Sequence, residues 1–225
     1  MNNRKISIAI DGPAGAGKST IAKTISKKLS ILYLDTGAMY RTVALKAINE
    51  NIDTVDEDKL SKLVKNIDIK IIFSENEQKI FLDGKDVNSL IRTPQVSIGA
   101  SNVATISNVR IKMVELQREI ASKNSVVMDG RDIGTYVLPS ADVKVFLNAD
   151  IKERAKRRYQ EQIAKGVKNM TLEEVLKDIQ YRDKNDSNRN FAPLTKASDA
   201  IEIDTTNMSI DQVVNTILGY VKNYG

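Results

Sequence analysis

Five short apolar runs recur along this chain, and each is closed by a polar or acidic residue. They are residues 6–10 before Asp11, 31–34 before Asp35, 125–128 before Asp129, 143–147 before Asn148 and 200–203 before Asp204. Runs this short and this rich in Ile, Val and Leu read as strands buried on both faces, the texture of a parallel sheet covered by helices. Between them the apolar positions fall at helical spacing, as in Ile21, Ala22, Ile25 and Leu29. Helices are expected over 18–29, 37–49, 109–123, 151–165, 172–182 and 210–224. Thr171-x-x-Glu174 and Ser209-x-x-Gln212 fit the capping boxes that would start the last two. The predicted fold class is therefore α/β, with a five-stranded parallel sheet flanked by helices. Ligands bind beyond the carboxyl ends of such strands, so the five closing residues should line one crevice.

Between the second and third runs the texture changes. Residues 69–73 and 79–82 read as strands joined by Ser74-Glu75-Asn76-Glu77, and Asp83-Gly84 makes a second turn into Lys85-Asp86-Val87. This predicts a small antiparallel insert of two or three strands. It is too small to stand alone, so it should pack on the core or move as a flap.

Length and composition narrow the chemistry. A chain of 225 residues with 41% hydrophobic and 28% charged content can bury a full core in one domain. No apolar run approaches the roughly 18 residues of a membrane span. The N-terminus runs straight into a strand pattern, and a cytoplasmic protein is expected. With no Cys and no His, thiol nucleophiles, disulfides, zinc sites built on those ligands and imidazole acid–base catalysis are excluded. The net charge of +5 raises the question of nucleic acid, but no aromatic or basic recognition motif accompanies it and aromatics are only 5%. A phosphate-rich small-molecule site accounts for the charge as well. Lysine outnumbers arginine, which makes each arginine, the better bidentate phosphate ligand, worth following.

The first run leads directly into Gly12-Pro13-Ala14-Gly15-Ala16-Gly17-Lys18-Ser19-Thr20 and then a helical pattern. Strand, G-x-x-x-x-G-K-S and helix together specify a P-loop. Its glycines turn backbone N–H groups toward phosphate oxygens, Lys18 adds charge for the β- and γ-phosphates, and the Ser19 hydroxyl can reach Mg²⁺. ATP and Mg²⁺ are the expected cofactors. The third run ends Met128-Asp129-Gly130-Arg131-Asp132, which places Asp129 where P-loop proteins carry an Mg²⁺-linked carboxylate. Gly130 follows it, not a water-activating Glu, which argues against motor, helicase and transporter ATPases.

Three further clusters are basic. Asp35-Thr36-Gly37-Ala38-Met39-Tyr40-Arg41 puts a glycine at a strand-to-helix turn and an arginine one turn later, either aimed at the crevice or solvated. Arg154 and Arg158 share a helix face, as a phosphate clamp or a solvated basic face. Arg182, Asp186 and Arg189 line one face if the helix continues that far. They read either as a salt-bridge ladder or as a sugar- and phosphate-binding set. Arg131 and Asp132 are read as crevice groups or as an internal ion pair of a turn.

Assembled in this order, the segments I-D-G-P-A-G-A-G-K-S, L-D-T-G-A-M-Y-R, D-G-R-D-I-G-T and R-D-x-x-D-x-x-R followed by Ala192-Pro193-Leu194 resemble the bacterial cytidylate kinases over nearly the whole chain. The resemblance implies ATP-dependent phosphorylation of CMP or dCMP. It implies a core of 1–36, 93–150 and 170–225, a monophosphate-binding region with the β insert at 37–92, and a lid at 151–169. Lys18, Asp129, Arg131, Arg154 and Arg158 would be catalytic. Thr36, Tyr40, Arg41, Arg131, Arg182 and Arg189, beside Asp129, would surround the CMP phosphate. Ser101, Arg110 and Asp132 would read the cytosine, and Asp186 would hold the sugar. Ser101 and Arg110 rest on the resemblance alone, since their local sequence looks like helix or loop surface. The chain carries Thr36 where a Ser is also found, and Ser19 where many monophosphate kinases carry Gly. A monomer acting on small molecules, with no nucleic-acid or membrane partner, is expected. Competing readings are a P-loop kinase for UMP, AMP or shikimate, and an ATP-switched nucleic-acid-binding module.

Overall fold

A computed structural model describes residues 4–74, 77–167 and 170–221. In chain order the elements are β1 (Ser7–Asp11), α1 (Lys18–Leu29), β2 (Leu32–Asp35), α2 (Thr36–Asn49), α3 (Glu57–Asn66), β3 (Ile69–Ser74), β4 (Glu77–Leu82), β5 (Lys85–Asp86), α4 (Pro94–Val103), α5 (Ser107–Lys123), β6 (Val126–Gly130), β7 (Val143–Asn148), α6 (Ile151–Ala164), α7 (Leu172–Asn188), β8 (Ile201–Asp204) and α8 (Ile210–Val221). The apolar runs form one parallel five-stranded sheet in the order β2-β6-β1-β7-β8. β1 is its centre. Ala9 faces a core built with α2, α4 and α5, while Ile8 and Ile10 face one built with α1 and α8, so both faces are covered. The strands added after β1 lie first on one side of it (β2, β6) and then on the other (β7, β8), and this switch in strand order opens the crevice at its carboxyl end.

The insert forms a separate antiparallel sheet, β3-β4-β5, as expected. Asp83 (φ 49°) and Gly84 (φ 77°) make its two-residue turn, the conformation that a D-G pair favours. The turn expected at 74–77 includes residues 75 and 76, outside the described residues. The insert packs on the core: Ile69, Ile80 and Leu82 are buried in the cluster with α2. In addition, the side-chain oxygen of Gln78 accepts from Asp35 N–H at 2.7 Å, at the crevice end of β2.

Helix α1 spans the expected residues and the strands lie within two residues of expectation. Both capping boxes form, Thr171 with Glu174 and Ser209 with Gln212. Residues 222–224 of the expected last helix lie outside the described residues. Two helices were not expected. α3 buries only Leu60, Leu63 and Val64 and is started by Asp56, which accepts from Lys59 N–H at 3.0 Å. α4 contains Gly99, where a Cβ would lie 3.1 Å from Thr54 and 3.2 Å from Ala44, so close packing on α2 overrides a poor helix former. α7 runs past residue 182 to Asn188, through a polar stretch that tertiary ion pairs hold in place. Among the described residues no helix is long and apolar enough to cross a membrane.

Candidate active site

The carboxyl ends of the strands open into a crevice of about 1160 Å³. On one side the chain leaves β1 through Gly12, whose φ of +145° and 2.0 Å clearance to Leu147 O would admit no side chain. Residues 14–20 line the crevice; Gly12 and Pro13 stand behind them. Lys18 is buried and donates to Pro13 O at 2.6 Å. Burial and the nearby Arg131 pull its pKa well below the usual lysine value, against the pull of Asp129 and Asp186. Ser19 Oγ donates to Asp129 Oδ2 at 2.8 Å, and Tyr33 OH donates to Asp129 Oδ1 at 2.8 Å. Burial and the Asp35 carboxylate push Asp129 above the usual carboxylate range.

Facing the P-loop is a set of arginines held by carboxylates from other elements. Arg131 does not pair with its neighbour Asp132. Its Nε donates to Asp186 Oδ2 at 2.7 Å, while Asp132 accepts from Arg110 Nη2 and from Arg189 Nη2 at 3.1 Å. Arg189 Nη1 also lies 3.6 Å from Asp186 Oδ1. Burial would raise Asp186, but Arg131, Arg189 and Arg182 outweigh it and hold the carboxyl below its ordinary value. Arg41 Nη2 donates to Asp35 Oδ2 at 2.8 Å, with Arg92 3.9 Å from the same oxygen. Thr36 Oγ1 donates to Asp129 O at 2.7 Å, and Asn185 Nδ2 lies 3.4 Å from Ser101 Oγ. Arg182 differs from the rest: among the described residues no carboxylate comes within ion-pair distance, and its buried Nε has no partner. Burial first, and then Arg131, lower its pKa to about 10.

The crevice brings together most of the residues singled out in the sequence, including Thr36, Tyr40, Arg41, Ser101, Arg110, Asp129, Arg131, Asp132, Arg158, Arg182, Asp186 and Arg189. Several expectations change. Of the five strand-closing residues only Asp35 and Asp129 line it. Asp11 turns aside to accept from Ile133 N–H at 2.8 Å and Gly134 N–H at 2.7 Å, because the loop after Arg131 needs its N–H groups satisfied. Asn148 and Asp204 close local turns, onto Ala149 and Thr206. Gly37 lies within α2, not in a turn, and its missing Cβ leaves room for the Arg41–Asp35 pair. Arg110, with the sequence look of a surface charge, is 0% exposed between the Tyr40 and Phe191 rings at 5.5 and 5.9 Å. Arg158 reaches the crevice and donates to Glu161 Oε2 at 2.9 Å. Arg154 does not line it. Its guanidinium is drawn under the P-loop onto Ala14 O and Asp183.

The family model for cytidylate kinase matches residues 8–223. The chain belongs to the cytidylate kinase family. It is 51% identical to a cytidylate kinase of Halalkalibacterium halodurans over 219 residues, 97% of this chain and 98% of the relative. It is 52% identical to one of Bacillus thuringiensis, covering 97% of each. An uncharacterized protein of Eubacterium ventriosum shares the fold, with a TM-score of 0.52 at 19% identity over 98% of this chain and 99% of the other.

In this cytidylate kinase family member, sequence reasoning missed Tyr33, Arg92, Arg157, Asp183 and Phe191. Arg157 lines the donor end and donates to Thr205 O at 2.8 Å and Thr205 Oγ1 at 3.1 Å. Nothing in the run Arg154–Arg158 distinguishes it, since all three arginines lie on one helix. Tyr33 carried a readable signal, a hydroxyl inside an otherwise apolar strand two residues before the strand-closing Asp35.

Proposed function

We propose that this chain transfers the γ-phosphoryl group of ATP to CMP or dCMP, giving ADP and (d)CDP. The observation that most supports this reading is Arg182, a half-buried cation with a buried Nε and, among the described residues, no carboxylate of its own, in the same crevice as Lys18 and Arg131. A desolvated positive cluster of this kind has an anion as its natural complement. The acceptor phosphate has a second pKa near 6, so at neutral pH it is mostly a dianion and already a nucleophile. No general base is required, in keeping with a chain without histidine.

The residues then divide by role. P-loop N–H groups and Lys18 hold the donor phosphates. Arg41, Arg131, Arg182 and Arg189, with Thr36 and Tyr40, receive the acceptor phosphate, which displaces the carboxylates now paired with Arg41, Arg131 and Arg189. Asp186 takes a sugar hydroxyl, and Ser101, Arg110 and Asp132 face the base. Lid residues 151–169, of which 168 and 169 lie outside the described residues, close over the donor and exclude competing water. Lys18 and the arginines neutralise charge on the group in transfer, with the reacting oxygens held in line. Ser19 Oγ and Asp129, hard oxygen donors 2.8 Å apart, fit a magnesium ion that takes few protein ligands and completes its shell with phosphate and water. When bound, Mg²⁺ supplies neutralisation of the donor phosphates. ADP release measured over CMP, dCMP, UMP, AMP and shikimate tests the reading. Turnover with CMP or dCMP at least tenfold above the others is expected, and a preference for AMP or shikimate would overturn it.

A further inference from the structure

Ala14 is the P-loop residue with both of its backbone groups engaged by one ion pair. Its N–H donates to Asp183 Oδ1 at 2.9 Å, and its carbonyl accepts from Arg154 Nη1 at 2.9 Å. The same Arg154 nitrogen lies 2.5 Å from Asp183 Oδ2, and Arg154 Nε donates to Ala149 O at 3.0 Å. The pair joins α6, α7 and the end of β7 through the nucleotide loop. Packing repeats the connection. The Ala14 methyl is buried with Ala155, Val175 and Ile179, and at Gly15, with φ +78°, a Cβ would lie 3.0 Å from Arg154 O and 3.1 Å from Arg154 Cβ.

Asp183 directly follows Arg182 on α7, and successive helical residues point about 100° apart. Asp183 therefore faces the P-loop while Arg182 faces the crevice, so one turn of α7 touches both halves of the site. We infer that Asp183 is a positioning residue that fixes the P-loop relative to the acceptor arginines, with Arg154 as its neutralising partner. The inference rests on the phosphoryl-transfer reading and reassigns Arg154 from the transferring group to the loop that holds the donor.

The charge logic gives it a signature that a simple packing role lacks. A carboxylate beside a phosphate-binding loop opposes the donor's negative charge, and Arg154 cancels it. Removing Arg154 alone leaves an uncompensated carboxylate next to the phosphates, whereas removing both leaves neither charge. Losses from the two single variants therefore do not add, and the double variant binds donor nucleotide better than Arg154→Met alone.

The test is calorimetric binding of MgADP and, separately, of CMP to the full chain as wild type, Asp183→Ala, Asp183→Asn, Arg154→Met and the double variant. For MgADP we expect about tenfold weakening in Asp183→Ala and about thirtyfold in Arg154→Met, with the double variant recovering to about tenfold. Asp183→Asn, which keeps an acceptor for Ala14 N–H, should stay within about threefold. CMP affinity should remain within about twofold throughout. Wild-type MgADP affinity in Asp183→Ala, additive losses in the double variant, or parallel loss of CMP binding and thermal midpoint would each overturn the inference. A slow Arg154→Met enzyme with normal MgADP affinity would return Arg154 to the transferring phosphoryl group. Wild-type turnover on CMP, run alongside, separates failure of the functional reading from failure of the positioning role.

Discussion

The donor and acceptor halves of this crevice are built in opposite ways. The donor half is centred on one contiguous stretch, residues 12–20, in which the backbone curls back between β1 and α1 and Lys18 adds a buried charge, with Arg157 and Arg158 of α6 at its rim. The acceptor half takes its arginines from α2, α5, the loop after β6, and α7, and most of them are held by carboxylates on other elements. A backbone cradle offers the same N–H groups with or without ligand. A side-chain cradle has to be kept in place, and here the carboxylates do that by pre-forming the arginine geometry at the cost of an exchange when phosphate arrives. Donor affinity should thus depend on loop geometry and acceptor affinity on a network of pairs.

The largest effect should come from the donor side. Lys18→Ala removes the one buried ammonium of the P-loop and should lower kcat by about 10³-fold or more, with CMP binding largely kept. Coupled ADP-release kinetics with calorimetric CMP binding checks both parts, and a kcat within tenfold of wild type would show that the arginines alone neutralise the donor. On the acceptor side, Arg131→Ala should raise the CMP KM and lower kcat, reducing kcat/KM about 10²-fold with the ATP KM within about threefold. Part of that loss arises because Asp186 is left with Arg189 at 3.6 Å as its remaining ion-pair partner. Unchanged kinetics would remove Arg131 from the site.

Legibility follows the same division. The P-loop was readable because strand, loop and helix are adjacent in sequence and each glycine answers a local steric demand. The sheet was readable because burial on both faces leaves an unbroken apolar run. Arg110 was not: it sits on α5 with no local mark, and its burial follows from Tyr40, Asp132 and Phe191, each from a different element. Arg154 shows the converse. Its spacing to Arg158 places both on one helix face, but spacing cannot tell which of them finds Asp183 across a loop. The sequence pattern supports α7 only to residue 182 because residues 183–188 are all polar, and the ion pairs made there explain why they stay helical.

Asp11 joins the two halves, since it ends the donor strand and accepts from the N–H groups of Ile133 and Gly134 just beyond the acceptor Arg131. Burial pushes its pKa from 3.8 up to about 6, against those two hydrogen bonds. A folded-state pKa raised above the unfolded value means that the stability this group contributes is full below pH 3.8 and is lost as pH rises through about 6. Relative to Asp11→Asn, which does not titrate, wild-type stability should therefore fall by about 3 kcal/mol between pH 3.8 and pH 7, following the shift from 3.8 to about 6. Urea unfolding of both proteins across that range measures it. A constant difference would mean that the carboxylate is ionised throughout and that the two N–H groups hold it so.

The smallest effect tests how finely the acceptor half is tuned. The Arg110 guanidinium lies between two aromatic rings, and the Phe191 ring also meets Tyr136 edge-on at 4.9 Å. The turn that presents Phe191 carries a cost, because Ala192 takes φ 47°, a left-handed conformation unfavourable for alanine, and Arg189 Nε holds it by donating to Ala192 O at 2.8 Å. An acceptor arginine thus steadies the loop whose aromatic ring steadies the base-facing arginine. A cation over one ring contributes about 0.5–2 kcal/mol, so Phe191→Leu should raise the CMP KM about three- to tenfold and leave the ATP KM unchanged. Phe191→Tyr, which keeps the ring, should retain wild-type values. If Phe191→Leu changed the ATP KM as much as the CMP KM, the ring would be supporting α7 as a whole, and the two halves would be less separable than their construction implies.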